Sequence, residues 1–308
     1  MKNKTISLSL ISLLFAGFGL VSCSSGDDDM GGSEDNSGST SGTVPENTDS
    51  GENNNPEPDN VKPDETKPEE TPSWQLVFED NFEGTDSIPN QEYWKLATRG
   101  DDTWNRYLSE SYGQAYQKDG YLYLFGMLVD GQYQTGAIES RDLYSFTYGQ
   151  VKCRARFLRQ PQGNHTGIWM MPEPPAQEWP RSGEIDIMEH LDDQKQIYET
   201  VHFWDDSTME DDKSDTTVDI NNEEFNTYGI IWDKNSVTFT VNGEVYLQYD
   251  NTDPQSDDFS YQYPFTKPFY LILSQSLGGK GTWEGAIDDS ELPAIFQIDW
   301  IKVWQKTE

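Results

Sequence analysis

The chain has 308 residues, with 55 acidic against 21 basic side chains, a net charge of −34 and two cysteines. Such an acidic surface repels phosphate backbones and anionic lipid, which excludes nucleic acid as a partner and suits a neutral ligand. Two cysteines exclude a disulfide framework and a cysteine-built metal site, and the length is ample for one large domain with its own core.

In chain order, residues 1–22 come first. Lys2 and Lys4 precede the apolar run "ISLSLISLLFAGFGLV", which closes on small residues at "LVSC". A membrane-crossing helix needs about 20 apolar residues, so this segment reads as a signal peptide. "LVSC" resembles the bacterial lipobox, where cleavage precedes the cysteine and the new terminus is lipidated; Cys23 is the matching position. The "SSGDDD" that follows resembles the export signal of surface lipoproteins in the Bacteroidetes. These resemblances imply an outer-membrane lipoprotein exposed at the cell surface and held to the membrane by its lipid; a plain secretory signal is the alternative. Residues 23–72 carry 14 acidic and two basic side chains and almost nothing large and apolar. They bury too little to offset the entropy of ordering, so a disordered tether is expected.

Residues 73–308 hold the other 41 acids and 17 bases, a charge of −24. They read as strands: "WQLVFEDNF", "YLYLFGML", "GAIESR", "YGQVKCRARFL", "TGIWMM", "GEIDIME", "ETVHFW", "FNTYGIIW", "SVTFTVNGEVYL", "FYLILSQSL" and "FQIDWIKVW". Asn242-Gly243 predicts a two-residue hairpin turn. In "YGQVKCRARF", Cys153 alternates with Val151, Ala155 and Phe157, which makes it a small core residue. Trp74, Trp232, Trp300 and Trp304 also fall in strand patterns and read as core. No helical pattern of three turns separates the strands. The expected fold is therefore all-β, two antiparallel sheets packed as a sandwich, in one domain from residue 73 to 308.

"GEIDIMEH" concentrates the chemistry. On a strand, Glu184 and Asp186 share a face, and strict alternation would turn Glu189 away. One extra residue, a β-bulge near Ile187 and Met188, returns Glu189 to the acidic face. Two carboxyls about 5 Å apart are what retaining glycoside hydrolysis requires, one as nucleophile and one as acid and then base. A third between them can share a proton and split the titration. An acidic strand edge or a calcium site would use the same residue types.

The stretch "WPRSGEIDIMEH" closely resembles the signature of glycoside hydrolase family 16, the laminarinase-like endoglycanases, in the form with the extra bulge residue. The resemblance runs from about Trp74 to Gln305 through "FEDNF", "GAIESRDLYSFTYGQVKCRARF", "GIWMMP", "TVHF", "YGIIW", "PFYLILSQSLGG" and "IDWIKVWQ". It implies a concanavalin A-like β-jelly roll, with Glu184 as nucleophile, Asp186 as assisting acid and Glu189 as acid/base, and no catalytic cofactor. Trp179 matches the aromatic that lines the sugar site, where an indole covers a pyranose face. Trp169 and Arg181 are expected in the cleft, and His202 to hydrogen-bond substrate or Asp186. Trp104 and Trp283, in loop-like segments, are expected subsite platforms. The resemblance also implies a structural calcium on the outer sheet, held by Glu79, the Gly120 carbonyl and Asp299.

Two segments depart from the laminarinase pattern: "SQSLGG" stands where "NLAVGG" is common, and "TRGDDTWNRYLSESYGQAYQKDG" replaces the familiar loop. Both border the cleft in the family and put the substrate in question. The expected activity is endo-hydrolysis, with retention, of β-1,3- or mixed-linkage β-1,3/1,4-glucan. The alternative is endo-β-1,4-galactosidase action on keratan or mucin-type poly-N-acetyllactosamine. A glycan-binding lipoprotein would share the sandwich without needing three acids, and a transglycosylase would use the same residues. The protein is expected to act as a monomer.

Overall fold

Between Gly149 and Arg159 the side chains of Val151, Cys153, Ala155 and Phe157 are buried, while Lys152, Arg154 and Arg156 are only partly so. That period of two recurs strand after strand and gives each sheet one face to bury. The computed structural model describes residues 73–84, 87–206, 208, 210–256 and 258–307. The leader, the tether and Cys23 lie outside the described residues.

The strands are β1 (Trp74–Asp80), β2 (Lys95–Leu96), β3 (Ala115–Lys118), β4 (Tyr121–Val129), β5 (Gln132–Thr135), β6 (Ala137–Glu139), β7 (Ser145–Phe146), β8 (Gly149–Arg159), β9 (Asn164–Pro172), β10 (Glu184–Leu191), β11 (Gln196–Asp205), β12 (Glu210–Asp219), β13 (Asn226–Trp232), β14 (Ser236–Val241), β15 (Glu244–Asp250), β16 (Phe269–Leu277) and β17 (Ala294–Lys306). One sheet runs β15-β14-β13-β8-β17-β4-β3, with β1 on β17 and β5 on β4. The other runs β12-β11-β10-β9-β16-β6-β2, with β7 on β16. The ladders are antiparallel. Among the described residues the one helical element is a single 3-10 turn, Asp289–Glu291.

One core cluster joins the sheets, with Ile168, Met170, Ile185 and Leu271 from one and Val151, Tyr228, Ile230 and Ile298 from the other. Each such side chain contributes roughly 1.5–3 kcal/mol on burial. Cys153 is fully buried and unpaired, and burial pushes its thiol well above the usual range, so it is inert. Asn242 and Gly243 both have positive φ, 52° and 89°, as a primed hairpin turn between β14 and β15 demands.

The outer face corrects three core assignments. Trp232 is fully buried, but Trp74 is 38% exposed and Trp300 and Trp304 are half-buried. Lys306, Lys302 and Lys152 lie over the Trp74, Trp300 and Trp304 rings at 5.3, 5.1 and 5.7 Å. Indoles on an outward face are shielded by lysine stems and cation–π contact rather than by a core. Strand β12, "EDDKSDTTVD", carries no apolar alternation; ten register pairs with β11 define it at the sheet edge, where charge guards against further pairing.

Of the residues nominated for calcium, the two carboxylates are engaged by basic side chains. Glu79 pairs with Lys302 at 3.2 Å and Asp299 with Arg154. Among the described residues no group of three His, Cys, Asp or Glu side chains could hold a metal.

Candidate active site

Strand β10 pairs Glu184 with His202 and Asp186 with Thr200 on β11, then resumes at Glu189 opposite Tyr198. Its ladder with β9 likewise shifts register between Asp186 and Met188. This is the expected bulge. Ile185, Ile187 and Met188 are fully buried in the core, while Glu184, Asp186 and Glu189 line one cavity of about 390 Å³. Gly183 leads into the strand at φ 83°, and a Cβ there would stand 2.7 Å from the Phe265 ring and 2.8 Å from Pro264. Only glycine lets the chain enter β10 at this angle.

Asp186 is 2% exposed. Burial first, then the charges of Glu184 and Glu189 and a hydrogen bond with Glu184, hold its carboxyl well above the usual carboxylate range. This favours the protonated form of Asp186, hydrogen-bonded to Glu184. The Trp179 indole N–H also donates to Oε2 of Glu184. Two donors on one carboxylate fix the direction of its free lone pairs. His202 Nε2 is 3.6 Å from Asp186 Oδ2, and its ring is 5.6 Å from Trp179.

Glu189 has different surroundings. Its Oε1 is 3.1 Å from Nε2 of His165, whose Nδ1 is 3.1 Å from Ser276 Oγ. Thr200 Oγ1 is 3.5 Å from Oε2. Sequence reasoning missed His165, although a signal was present. If Trp169 faces the cleft, period-two alternation along β9 puts Gly167 and His165 on the same face. It also missed Glu284, a further carboxylate lining the cavity, 6% exposed, with Oε2 buried and unpartnered.

The nominated tryptophans converge. Trp104 meets Trp169 edge-to-face at 4.8 Å, and Trp169 Nε1 donates to Ser274 Oγ at 3.0 Å. Gly167 leaves room for that indole, since a Cβ would sit 3.0 Å from it. Trp179 and Trp283 are 52% and 55% exposed, the first beside Glu184, the second 5.4 Å from both His165 and Tyr198 on the Glu189 side. Arg181 stands apart from the cavity lining, its guanidinium 3.9 Å above the Trp204 ring. The two departing segments touch each other: Arg106 donates to the Gly278 carbonyl. Ser274 and Ser276 of "SQSLGG" hold Trp169 and His165.

A β-sandwich with three carboxylates on one face of a bulged strand, among exposed tryptophans, has the architecture of the jelly-roll glycanases. The family model of the glycosyl hydrolases family 16 matches residues 105–302, and the chain belongs to that family. It is 34% identical over 243 residues to a keratan-sulfate endo-1,4-beta-galactosidase of Sphingobacterium multivorum, a match covering 75% of this chain and 55% of that protein. The chain thus spans about half of that relative. A solved structure described among endo-acting O-glycanases that initiate mucin breakdown, from the human gut microbiota, superposes with TM-score 0.67 and 30% identity, covering 74% of this chain and 98% of that one. The laminarinase from Rhodothermus marinus superposes with TM-score 0.67 and 25% identity, covering 78% and 100%.

Proposed function

We propose that the domain is an endo-acting β-glycoside hydrolase that retains anomeric configuration. The observation that carries this reading is the return of Glu189, across the bulge, to the face that bears Glu184 and Asp186. Glu184, oriented by Asp186 and Trp179, attacks the anomeric carbon while Glu189 protonates the departing oxygen. In the second step water attacks that carbon, gives its proton to Glu189 and releases Glu184. Asp186 relieves repulsion within the set by staying protonated. Trp179 and Trp283 flank the acids on opposite sides, so sugar units can stack on either side of the broken bond. That is a geometry for internal cleavage of a chain. The third acid also argues against a binding module, which has no use for it.

Two substrate classes suit this site. β-1,3- or mixed-linkage glucan accords with the laminarinase likeness. β-1,4-Galactosyl bonds of keratan or mucin-type glycans accord with the higher identities of 34% and 30%, and with the departures at Ser274–Gly279 and in the loop carrying Trp104 and Arg106. Product analysis against laminarin, barley-type β-glucan, agarose, keratan sulfate and mucin glycans decides between them. Oligosaccharides released from glucans alone support the first, from keratan or mucin alone the second. A folded protein that releases nothing from any of them is not this enzyme. Cys23 and the leader support a surface-exposed, membrane-anchored lipoprotein in which the domain acts as a monomer.

A further inference from the structure

His165 is 8% exposed, touches Glu189 with one ring nitrogen and Ser276 with the other, and is used by neither step above. A neutral imidazole offers one donor and one acceptor. The Ser276 hydroxyl has two acceptors within reach, His165 Nδ1 at 3.1 Å and the His165 carbonyl at 3.4 Å. Donation along the shorter contact makes Nδ1 the acceptor and leaves the hydrogen on Nε2, which faces Glu189 Oε1.

We propose that His165 is a positioning residue for the acid/base: Nε2–H holds Oε1 of Glu189 as a permanent acceptor, so that Oε2 alone carries the catalytic proton. The inference rests on the acid/base reading of Glu189. In the first step the proton passes from Oε2 to the glycosidic oxygen as the C1–O bond breaks and the Glu184–C1 bond forms. In the second, water bonds to C1, its proton returns to Oε2 and the Glu184–C1 bond breaks. Oε1 can accept from Nε2–H whether Glu189 is acid or carboxylate, so His165 gains and loses nothing in either step. Thr200 Oγ1 lies at the outer limit of hydrogen bonding to Oε2 and leaves that oxygen to the substrate.

Two measurements test this. The first is kinetic, on the glycan the wild type cleaves and on the 2,4-dinitrophenyl glycoside of its product. His165→Ala should lower kcat on the glycan roughly tenfold to hundredfold, the weight of one hydrogen bond to a charged group, with KM nearly unchanged. Formation of the glycosyl-enzyme from the dinitrophenyl glycoside, whose leaving group needs little protonation, should change less than about threefold. His165→Gln, which restores an N–H donor, should recover much of the loss. Equal losses on both substrates, or Gln no better than Ala, would overturn the role. Glu189→Gln is the control: without the same dependence on leaving group, the acid/base reading fails instead. The second measurement needs no substrate. Nitrogen-15 spectra of the three histidines in the intact protein should give a neutral Nε2–H tautomer for His165, with Nδ1 resonances that move in Ser276→Ala. An Nδ1–H tautomer would sink the proposal.

Discussion

Asp186, buried to 2% exposure, shares a hydrogen bond with Glu184 two positions before it on the same face of β10. Burial favours the proton on Asp186, and Glu184 is the accessible member of the pair. A carboxyl held protonated in the fold but ionised near 3.8 in the unfolded chain favours folding fully below that pH, and the benefit is lost as pH rises. Asp186→Asn, which is neutral throughout, should therefore melt above the wild type at neutral pH, by a margin that widens with pH. Its kcat should fall about tenfold or more, because one orienting bond to a charged group is altered. Thermal melts across pH check the first part; superimposable melting curves would refute it.

Glu184→Gln retains volume and removes the charge proposed to attack the anomeric carbon. The fold should persist, since the side chain faces the cavity and not the core. Turnover should fall by roughly 10⁴-fold or more, as when other covalent catalysts lose their nucleophile. Oligosaccharide binding, measured by calorimetry, should survive on Trp179 and Trp283. Wild-type turnover by a folded variant would remove Glu184 from its role. In the active protein, proton NMR of the first product should reveal the β-anomer, and an initial α-anomer would contradict retention.

Behind the bulge stands Glu199. Asp186 opposes Thr200 and Glu189 opposes Tyr198, which leaves Glu199 across from Ile187 and Met188. It is fully buried, neither oxygen has a hydrogen-bond partner, and burial pushes its carboxyl up to about 8. Between its ordinary value of 4.5 and about 8 the unfolded chain holds fewer protons than the folded one, so stability declines as pH rises. The slope is at most ~1.4 kcal/mol per pH unit. Glu199→Gln should flatten that decline and melt higher than wild type at pH 8, with little difference at pH 4. A variant with an unchanged pH dependence of melting would show that Glu199 is ionised in the fold.

Gly183→Ala places a Cβ against Phe265 and Pro264 at a positive φ. The left-handed backbone alone costs about 1–2 kcal/mol, and relief of the contact must shift the start of β10. Both stability and kcat should drop, with Glu184 displaced. A variant equal to wild type in both would mean that the turn can be reshaped freely.

Cys23→Ala should yield a soluble or mislocalised protein with unaltered activity, because a single cysteine carries the proposed lipid. Unchanged membrane fractionation would exclude the anchor.

Much of this site was legible in local sequence. Alternation in "YGQVKCRARF" buried Cys153, and the two-then-three spacing of Glu184, Asp186 and Glu189 required a bulge that the register of β10 displays. Both follow from the geometry of a single strand, which a sequence carries in full. The place of Trp104 and Trp283 at the cavity was legible too, as large indoles in segments rich in turn residues.

What tertiary structure alone decided concerns neighbours across strands. Alternation could place His165 on the cleft face, but its contact with Glu189 arises because β9 pairs Gly167 with Glu189 and His165 with Leu191. Ser276 reaches the imidazole from β16 through a third strand's register. Trp74, Trp300 and Trp304 read as core from their strand patterns and lie on the outward face instead, because a strand pattern does not say which of its faces the other sheet covers. Strand β12 has no apolar period and exists because β11 offers it a complete row of backbone partners. A strand's two faces are determined by its own residues; which face is inside, and what lies across from it, depends on pairings between segments far apart in the chain, such as His165 and Ser276, 111 residues apart.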